Sequence, residues 1–265
     1  MTSQPKVVNS SSGQAWLIQG FKIFKKQPLI WIFSLFTYWT AMFLFGLVPI
    51  FGLIITLILS PGLAFGFIAL ARAVDENQIP FPKLIISGFT GAHAKSMLLL
   101  GIIYVLQIIL VLILSITLDG GSLLKAISTG EFPVYSNNLP SNSTSNGFGA
   151  MVAVLAYIPV MMSFWYAPQL VVWNKFSATK AVFYSFFAVW LNRKSFLFYG
   201  LLWFAIVLFL IFLFSTLANL FASFKQVLTL GIMPLSLVLM SVAHGSYYAS
   251  TKSVFMDLKI NSDTN

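Results

Sequence analysis

QPLIWIFSLFTYWTAMFLFGLVPIFGLIITLILSPGLAFGFIALA occupies residues 27–71 and runs for 45 residues without a charged side chain. A helix needs about 20 apolar residues to cross the hydrocarbon core of a bilayer. The stretch is therefore long enough for two spans, and Pro49 with its flanking glycines forms a turn near the middle. We predict transmembrane helices at residues 28–47 and 50–71.

Four further stretches are long and apolar enough to cross a bilayer. None of them alternates polar and apolar residues in the pattern of about ten residues that transmembrane β-strands show. The sequence therefore predicts an all-α polytopic membrane bundle with six transmembrane helices in three hairpins. The four remaining spans are expected at residues 96–118, 148–173, 196–217 and 227–250.

The composition agrees with a chain whose solvent is mostly lipid. Of 265 residues, 58% are hydrophobic and 8% are charged, whereas a soluble domain is about 25% charged. This excludes a soluble enzyme, and it excludes a disordered chain, because disorder requires low hydrophobicity. There is no cysteine, which removes disulfides, thiolate metal sites and cysteine nucleophiles.

The basic residues are distributed very unevenly between the two predicted membrane faces. Thirteen of the 15 Lys and Arg residues fall on the side of both termini, and only Lys125 and Lys225 fall on the other. Cytoplasmic loops carry the excess of positive charge in membrane proteins, so we expect both termini in the cytoplasm. The net charge of +9 is spread in short clusters beside span ends, which indicates contact with anionic lipid and not with nucleic acid.

The chain is expected to form one transmembrane domain over residues 14–255, with a disordered tail over residues 1–13 and a second tail over residues 256–265. Within the domain we predict three repeated units, each an amphipathic interfacial helix followed by a hairpin of two spans. A polar external loop covers residues 119–146. The units cover residues 14–72, 81–175 and 177–252.

The amphipathic segments are expected to lie in the membrane interface with their basic residues toward lipid headgroups. In the first, residues 14–26, Trp16 and Phe21 share the apolar face. In the third, residues 177–194, the apolar face is wide and aromatic, and a narrow strip of small and polar residues (Ser177, Ala181, Ser185, Ala188 and Asn192) is expected to face away from it. The candidate headgroup contacts are Lys22, Lys25, Lys26, Lys95, Arg193 and Lys194.

Reactive side chains are scarce inside the predicted spans. A carrier coupled to protons or sodium usually needs a carboxylate at mid-membrane depth, and a zinc protease needs two histidines with a glutamate. The chain has only two histidines, and all its carboxylates fall outside the spans. We therefore expect a protein that is not an enzyme and holds no cofactor or metal. The carboxylates are Asp75, Glu76, Asp119, Glu131, Asp257 and Asp263.

Two polar residues and two prolines inside spans are the candidate functional positions. His244 and Gln107 are each expected either to contact a solute or to form a hydrogen bond between helices. Pro61 and Pro168 lie at comparable positions late in the second and fourth spans. They indicate either unwound backbone at a binding site or ordinary helix kinks.

Several motifs resemble an uncharacterised family of bacterial, mainly betaproteobacterial, inner membrane proteins. They are GFKIFKKQPLIW at residues 20–31, LSPG at 59–62, FWYAP at 164–168, SFFA at 185–188 and LN at 191–192. The resemblance implies a multi-pass protein of the bacterial inner membrane, and it carries no assigned reaction. The leading hypothesis is thus a non-enzymatic membrane protein of undefined role. The alternatives are a permease or channel for a small or lipidic solute, and an accessory or assembly subunit of a membrane complex.

Overall fold

The computed structural model describes residues 4–48, 51–119, 148–221 and 225–255. Within these ranges the chain is helical and contains no β-strand. Six helices are long and apolar enough to cross a membrane. The all-α polytopic bundle is therefore confirmed, whereas the predicted external loop, apart from Asp119, and the C-terminal tail lie outside the described residues.

The first hairpin contains α1 (Ser12–Lys26), α2 (Pro28–Gly46) and α3 (Phe51–Asp75). Pro28 begins α2, where its missing N–H costs nothing because the first N–H groups of a helix have no intrahelical partner. The two spans end and begin within a few residues of the predicted boundaries. Their separation at Gly46 agrees with the turn predicted there.

The second hairpin begins with two 3₁₀ helices, Pro82–Phe89 and Gly91–His93. They are followed by α4 (Ala94–Asp119), α5 (Phe148–Trp165) and α6 (Ala167–Trp173). The fourth span was predicted as one continuous helix over residues 148–173, and it is divided at Tyr166.

The third hairpin contains α7 (Ala178–Leu191), α8 (Arg193–Leu220) and α9 (Lys225–Phe255). Residues 6–9 lie beside the end of α9, where the Lys6 amide donates to the Val254 carbonyl. These two parts of the chain meet at one face of the membrane, which we call the terminal face.

The second amphipathic segment differs from the prediction of an interfacial α-helix over residues 81–95. It consists of two 3₁₀ helices, and Gly91, which begins the second, has a φ of 76° in the left-handed region that glycine tolerates. Gly88 packs directly on α3, and a Cβ added to it would lie 2.6 Å from the Gly62 carbonyl oxygen. Contact between backbones and the burial of Ile85, which is 8% exposed, hold this segment in place.

Helix α1 packs against other helices more deeply than an interfacial helix would. Trp16 is 2% exposed, and its Nε1 donates to Ser253 Oγ at 2.8 Å. Gly20 lies against α9, and a Cβ there would be 2.5 Å from both the Ser246 amide nitrogen and the Val242 carbonyl oxygen. The predicted apolar face is thus largely buried, although Phe21 is 48% exposed.

Helix α7 differs from the predicted interfacial helix on its small and polar face. The strip of small and polar residues faces the protein, and Ala181, Ser185 and Ala188 are fully buried. The aromatic face points outward, with Phe183 60% and Trp190 51% exposed. In a bilayer, lipid solvates aromatic side chains well, whereas small residues allow two helices to approach closely.

Residues 6–9, which the sequence places in a disordered tail, are hydrogen-bonded to the bundle. Asn192 accepts from the Val8 amide at 2.8 Å and donates to the Lys6 carbonyl at 3.0 Å. Ser195 Oγ donates to the Asn9 carbonyl at 2.8 Å. The first turns of α8 therefore tie the N-terminal segment to the terminal face.

Candidate functional site: a polar cavity between broken helices

A cavity of about 310 Å³ lies in the bundle between α2, α3, α4, α5, α6 and α9. We call it the central cavity. Its walls combine aromatic rings with hydroxyl and imidazole groups, and among the described residues no Lys, Arg, Asp or Glu lines it. The polar residues of its lining are Tyr38, Ser60, Tyr104, Tyr157, His244 and Tyr247.

Pro61 lies within α3 and removes one backbone hydrogen bond in the wall of the cavity. A proline within a helix cannot donate to the carbonyl four residues earlier, which here is that of Leu57. The Ser60 hydroxyl donates to this carbonyl at 3.0 Å instead. A residue of the cavity lining therefore replaces the backbone hydrogen bond that Pro61 removes.

Pro168 has the same effect at the start of α6. It leaves the Phe164 carbonyl without its backbone donor, and the Tyr247 hydroxyl donates to this oxygen at 3.2 Å. Tyr247 comes from α9 and also lines the central cavity. Each of the two prolines thus frees a carbonyl that a cavity side chain satisfies.

Ser185 of α7 completes the break between α5 and α6. Its hydroxyl accepts from the Tyr166 amide at 2.8 Å and donates to the Met162 carbonyl at 2.8 Å. These two groups would bond directly in a continuous helix. A side chain inserted into the ladder of backbone hydrogen bonds is an established cause of a helix break.

His244 presents one nitrogen to the protein and leaves the other available. Its Nδ1 lies 2.8 Å from the Met240 carbonyl oxygen, and because a carbonyl only accepts, Nδ1 carries the hydrogen. In the neutral ring Nε2 is then an acceptor. The ring packs on Phe67 with centroids 4.5 Å apart, which fixes its orientation at the cavity wall.

Paired aromatic side chains form much of the remaining wall. The Tyr104 and Tyr157 hydroxyls are 3.0 Å apart, and the Tyr104 ring packs edge-on against Phe164 at 4.9 Å between centroids. The Trp165 and Tyr247 rings lie 4.6 Å apart. Such a wall favours a flat or apolar solute surface, while the hydroxyl groups supply a few directed hydrogen bonds.

The structure brings three of the four candidate positions together. His244, Pro61 and Pro168 all line the central cavity, whereas Gln107 lines a separate cavity of about 240 Å³ between α4, α5 and α7. Gln107 Oε1 is buried there without a hydrogen-bond partner among the described residues.

Sequence reasoning missed the tyrosines of the central cavity. Tyrosine is enriched at the two membrane interfaces, so a tyrosine near the middle of a span is the signal that would have found them. Tyr38, Tyr104 and Tyr157 each lie well inside a transmembrane helix.

The six candidate headgroup contacts are all exposed near the terminal ends of their helices. Two of them also bind other parts of the protein. Lys26 donates to the Asp75 carbonyl and to Asn77, each at 3.1 Å, and Arg193 donates to the Trp190 carbonyl at 3.3 Å. The four others are Lys22, Lys25, Lys95 and Lys194.

Asp75 forms a polar cluster at the terminal end of α3. Its side chain is 9% exposed and lies 2.7 Å from the Lys252 ammonium, and Gln19 Nε2 donates to it at 3.1 Å. The cluster joins α1, α3 and α9 through one carboxylate. Within the described parts of the chain, no group of three or more His, Asp or Glu residues is placed to hold a metal ion.

Comparison with known proteins gives one informative relative. A probable inner membrane protein of Burkholderia thailandensis is 35% identical to the chain over 254 residues, which cover 94% of the chain and 92% of the relative. No protein-family model matches the chain, and no solved structure matches it. The relative is betaproteobacterial, as the resemblance of the sequence motifs implies.

Proposed function

The chain belongs to the same family as this inner membrane protein, and we propose that it is a non-enzymatic permease that carries a small uncharged solute through the central cavity. It is a multi-pass protein of the inner membrane. The observation that carries the proposal is that two span prolines, Pro61 within α3 and Pro168 beside the break between α5 and α6, line one cavity together with hydroxyl and imidazole groups. Irregular backbone at membrane depth is tolerated where it lines a cavity, and transporters bind their solutes at such breaks.

The depth of the central cavity supports this proposal. Along α3, Ser60 lies about 13 Å from the helix start at Phe51 and about 22 Å from its end at Asp75, at 1.5 Å per residue. Along α9, His244 lies about 12 Å from Lys252. The polar groups of the cavity therefore sit well inside a hydrocarbon core that is about 30 Å thick, where a solute-binding site separates the two faces.

The chemistry of the lining indicates the class of solute. A charged solute would lose its hydration without gaining a counter-ion from the described part of the chain, where no charged residue lines the cavity, and an unpaired buried charge is costly. Ser60 and Tyr247 already donate to backbone carbonyls, so their oxygens remain as acceptors, together with His244 Nε2. This arrangement favours an uncharged molecule with one or two hydrogen-bond donors and an apolar surface.

The orientation in the membrane is part of the same proposal. The excess of Lys and Arg on the side of the termini supports a cytoplasmic terminal face in contact with anionic lipid. Four of the six candidate headgroup contacts are exposed without an ion pair or hydrogen bond to the described protein, which supports contact with headgroups. They are Lys22, Lys25, Lys95 and Lys194.

Solute entry into proteoliposomes tests the proposal. Vesicles that contain the purified protein are placed in isosmotic glycerol, urea or acetamide, and swelling is followed by light scattering. We expect faster swelling than in protein-free vesicles for at least one solute. Ala64→Phe, which fills the cavity wall, should remove the increase, whereas Ala205→Phe on the exposed surface of α8 should retain it.

Two results would contradict the proposal. The first is equal swelling of protein-containing and protein-free vesicles for all three solutes, with the protein inserted and folded. The second is an increase that survives Ala64→Phe and is lost in Ala205→Phe, because transport would then not pass through the central cavity.

A further inference from the structure

We propose that a second site, outside the central cavity, binds one anionic phospholipid from the leaflet at the terminal face. The site is an apolar groove of about 780 Å³ between α5, α7, α8 and α9, with Arg193 at its end. We call it the lipid groove. It does not depend on the proposed transport function, since it would be occupied whether or not a solute passes through the protein.

The length of the lipid groove matches one leaflet. The groove runs along α8 from Arg193 to Trp203, and ten residues of helix span about 15 Å. This is half of the hydrocarbon thickness of about 30 Å. The acyl chains of one lipid cover this depth, whereas a transmembrane helix from a partner would continue across the whole bilayer.

The groove is open sideways to the bilayer and is almost entirely apolar in its lining. Leu197 is 67% exposed, and Leu201 and Met161 are 54% and 45% exposed, on the two sides of the opening. A lipid can therefore enter from the membrane plane without any change of the bundle. Among the residues that the structure describes, Arg193 is the one charged residue of the lining.

The open space beside Gly200 also supports a groove that a lipid occupies. Glycine in a helix interior costs about 1 kcal/mol relative to alanine, and at Gly20 a close contact between backbones accounts for the glycine. At Gly200 a Cβ would meet nothing within 4 Å. The protein itself does not fill this space, which is continuous with the groove and suits an acyl chain.

Arg193 supplies the charge that selects an anionic headgroup. Its guanidinium carbon lies 5.4 Å from the centre of the Trp190 ring, and its Nη1 donates to the Trp190 carbonyl. Among the described residues no carboxylate pairs with Arg193. A guanidinium held in this way has donors left for a phosphate, which arginine binds in a bidentate manner.

Native mass spectrometry of the purified full chain tests the site. The protein is delipidated in mild detergent and titrated with phosphatidylglycerol or with zwitterionic phosphatidylcholine. We expect one tightly bound phosphatidylglycerol per chain and weaker binding of phosphatidylcholine. Arg193→Gln should lower the affinity for phosphatidylglycerol at least about tenfold, since it removes a charge-assisted hydrogen bond.

Two matched controls separate the groove from general effects. Lys180→Gln removes another exposed charge, which does not line the groove, and should leave the tight binding intact. Gly200→Leu should abolish it by filling the groove, while Gly231→Leu, where a Cβ also meets nothing within 4 Å, should not. Both leucine variants are expected to keep the thermal stability of the parent protein.

Several outcomes would overturn the lipid site. Equal losses in Arg193→Gln and Lys180→Gln would show a diffuse electrostatic effect. Retention of the bound lipid in Gly200→Leu would place the lipid elsewhere. Displacement of the lipid by a second copy of the chain, seen as a dimer that Gly200→Leu dissociates, would identify the groove as a contact between protein chains.

Discussion

Replacement of Gly20 by alanine is the sharpest test of how α1 is attached to the bundle. A Cβ at this position would lie 2.5 Å from the Ser246 amide nitrogen and 2.5 Å from the Val242 carbonyl oxygen. Nonbonded atoms prefer about 3.5–4 Å, so α1 must move by about 1 Å relative to α9. The obstacles are backbone atoms of a helix, which cannot rotate away as a side chain can.

The expected magnitude follows from two opposing effects. Overpacking of a close contact costs about 1–3 kcal/mol, and the rigid neighbours place this case near the upper value. Alanine recovers about 1 kcal/mol of helix propensity relative to glycine. The free energy of unfolding should fall by about 2 kcal/mol, which lowers the Tm of a chain of this size by about 4–8 °C.

The measurement is thermal unfolding in mild detergent, followed by tryptophan fluorescence because Trp16 is buried beside the contact. Gly231→Ala is the matched control, since a Cβ there meets nothing within 4 Å. Its Tm should stay the same or rise. If Gly20→Ala is as stable as Gly231→Ala, α1 is not packed against α9 as the structure has it.

Three further predictions concern the terminal face. Asp75→Asn should lower the free energy of unfolding by about 2 kcal/mol, because it weakens hydrogen bonds to a nearly buried charge. Arg72→Gln, in an exposed i,i+4 pair, should cost less than about 0.5 kcal/mol. Urea titration compares the two variants. Asn192→Leu should release the N-terminal segment that its side chain holds and speed tryptic cleavage after Lys6, and an unchanged cleavage rate would contradict the tether. On intact cells, an impermeant maleimide should label cysteine at Asn142 but label cysteine at Lys6 only after permeabilisation, and the opposite pattern would overturn the proposed topology.

The transmembrane helices were predictable because the length of an uncharged stretch is enough to identify a membrane span. A charged side chain is expensive in the hydrocarbon core, so the uncharged stretch over residues 27–71 had to form membrane helices. The positions of the charges thus located helix ends to within a few residues. Pro168 left open unwound backbone near Tyr166, but the role of Ser185 in this break was not predicted, because Ser185 comes from another helix.

The burial of the small and polar face of α7 was not predicted, for a physical reason. Amphipathic analysis places the polar face of an interfacial helix toward headgroups and water. In lipid the aromatic face of α7 is solvated, and the small residues Ala181 and Ala188 form the packed face. A pattern of small residues is therefore the better signal for helix contacts in a chain of this kind.

The central cavity was only partly predictable. His244, Pro61 and Pro168 were singled out because polar residues and prolines are unusual in spans. Their convergence could not be derived from one sequence, since it depends on how six helices pack. The replacement of the lost backbone hydrogen bonds by Ser60 and Tyr247 could not be derived either, because Tyr247 reaches Phe164 from a different hairpin.

Water access to Ser60 tests the central cavity most directly. The chain contains no cysteine, so Ser60→Cys and Ser34→Cys each carry a single thiol. Alkylation by the small uncharged reagent iodoacetamide requires the thiolate, which an apolar environment disfavours. A cavity that admits water and solute predicts modification of Ser60→Cys at least about tenfold faster than of Ser34→Cys, whose parent side chain is 0% exposed. Equal, slow modification of both would contradict a solute-accessible cavity at this depth.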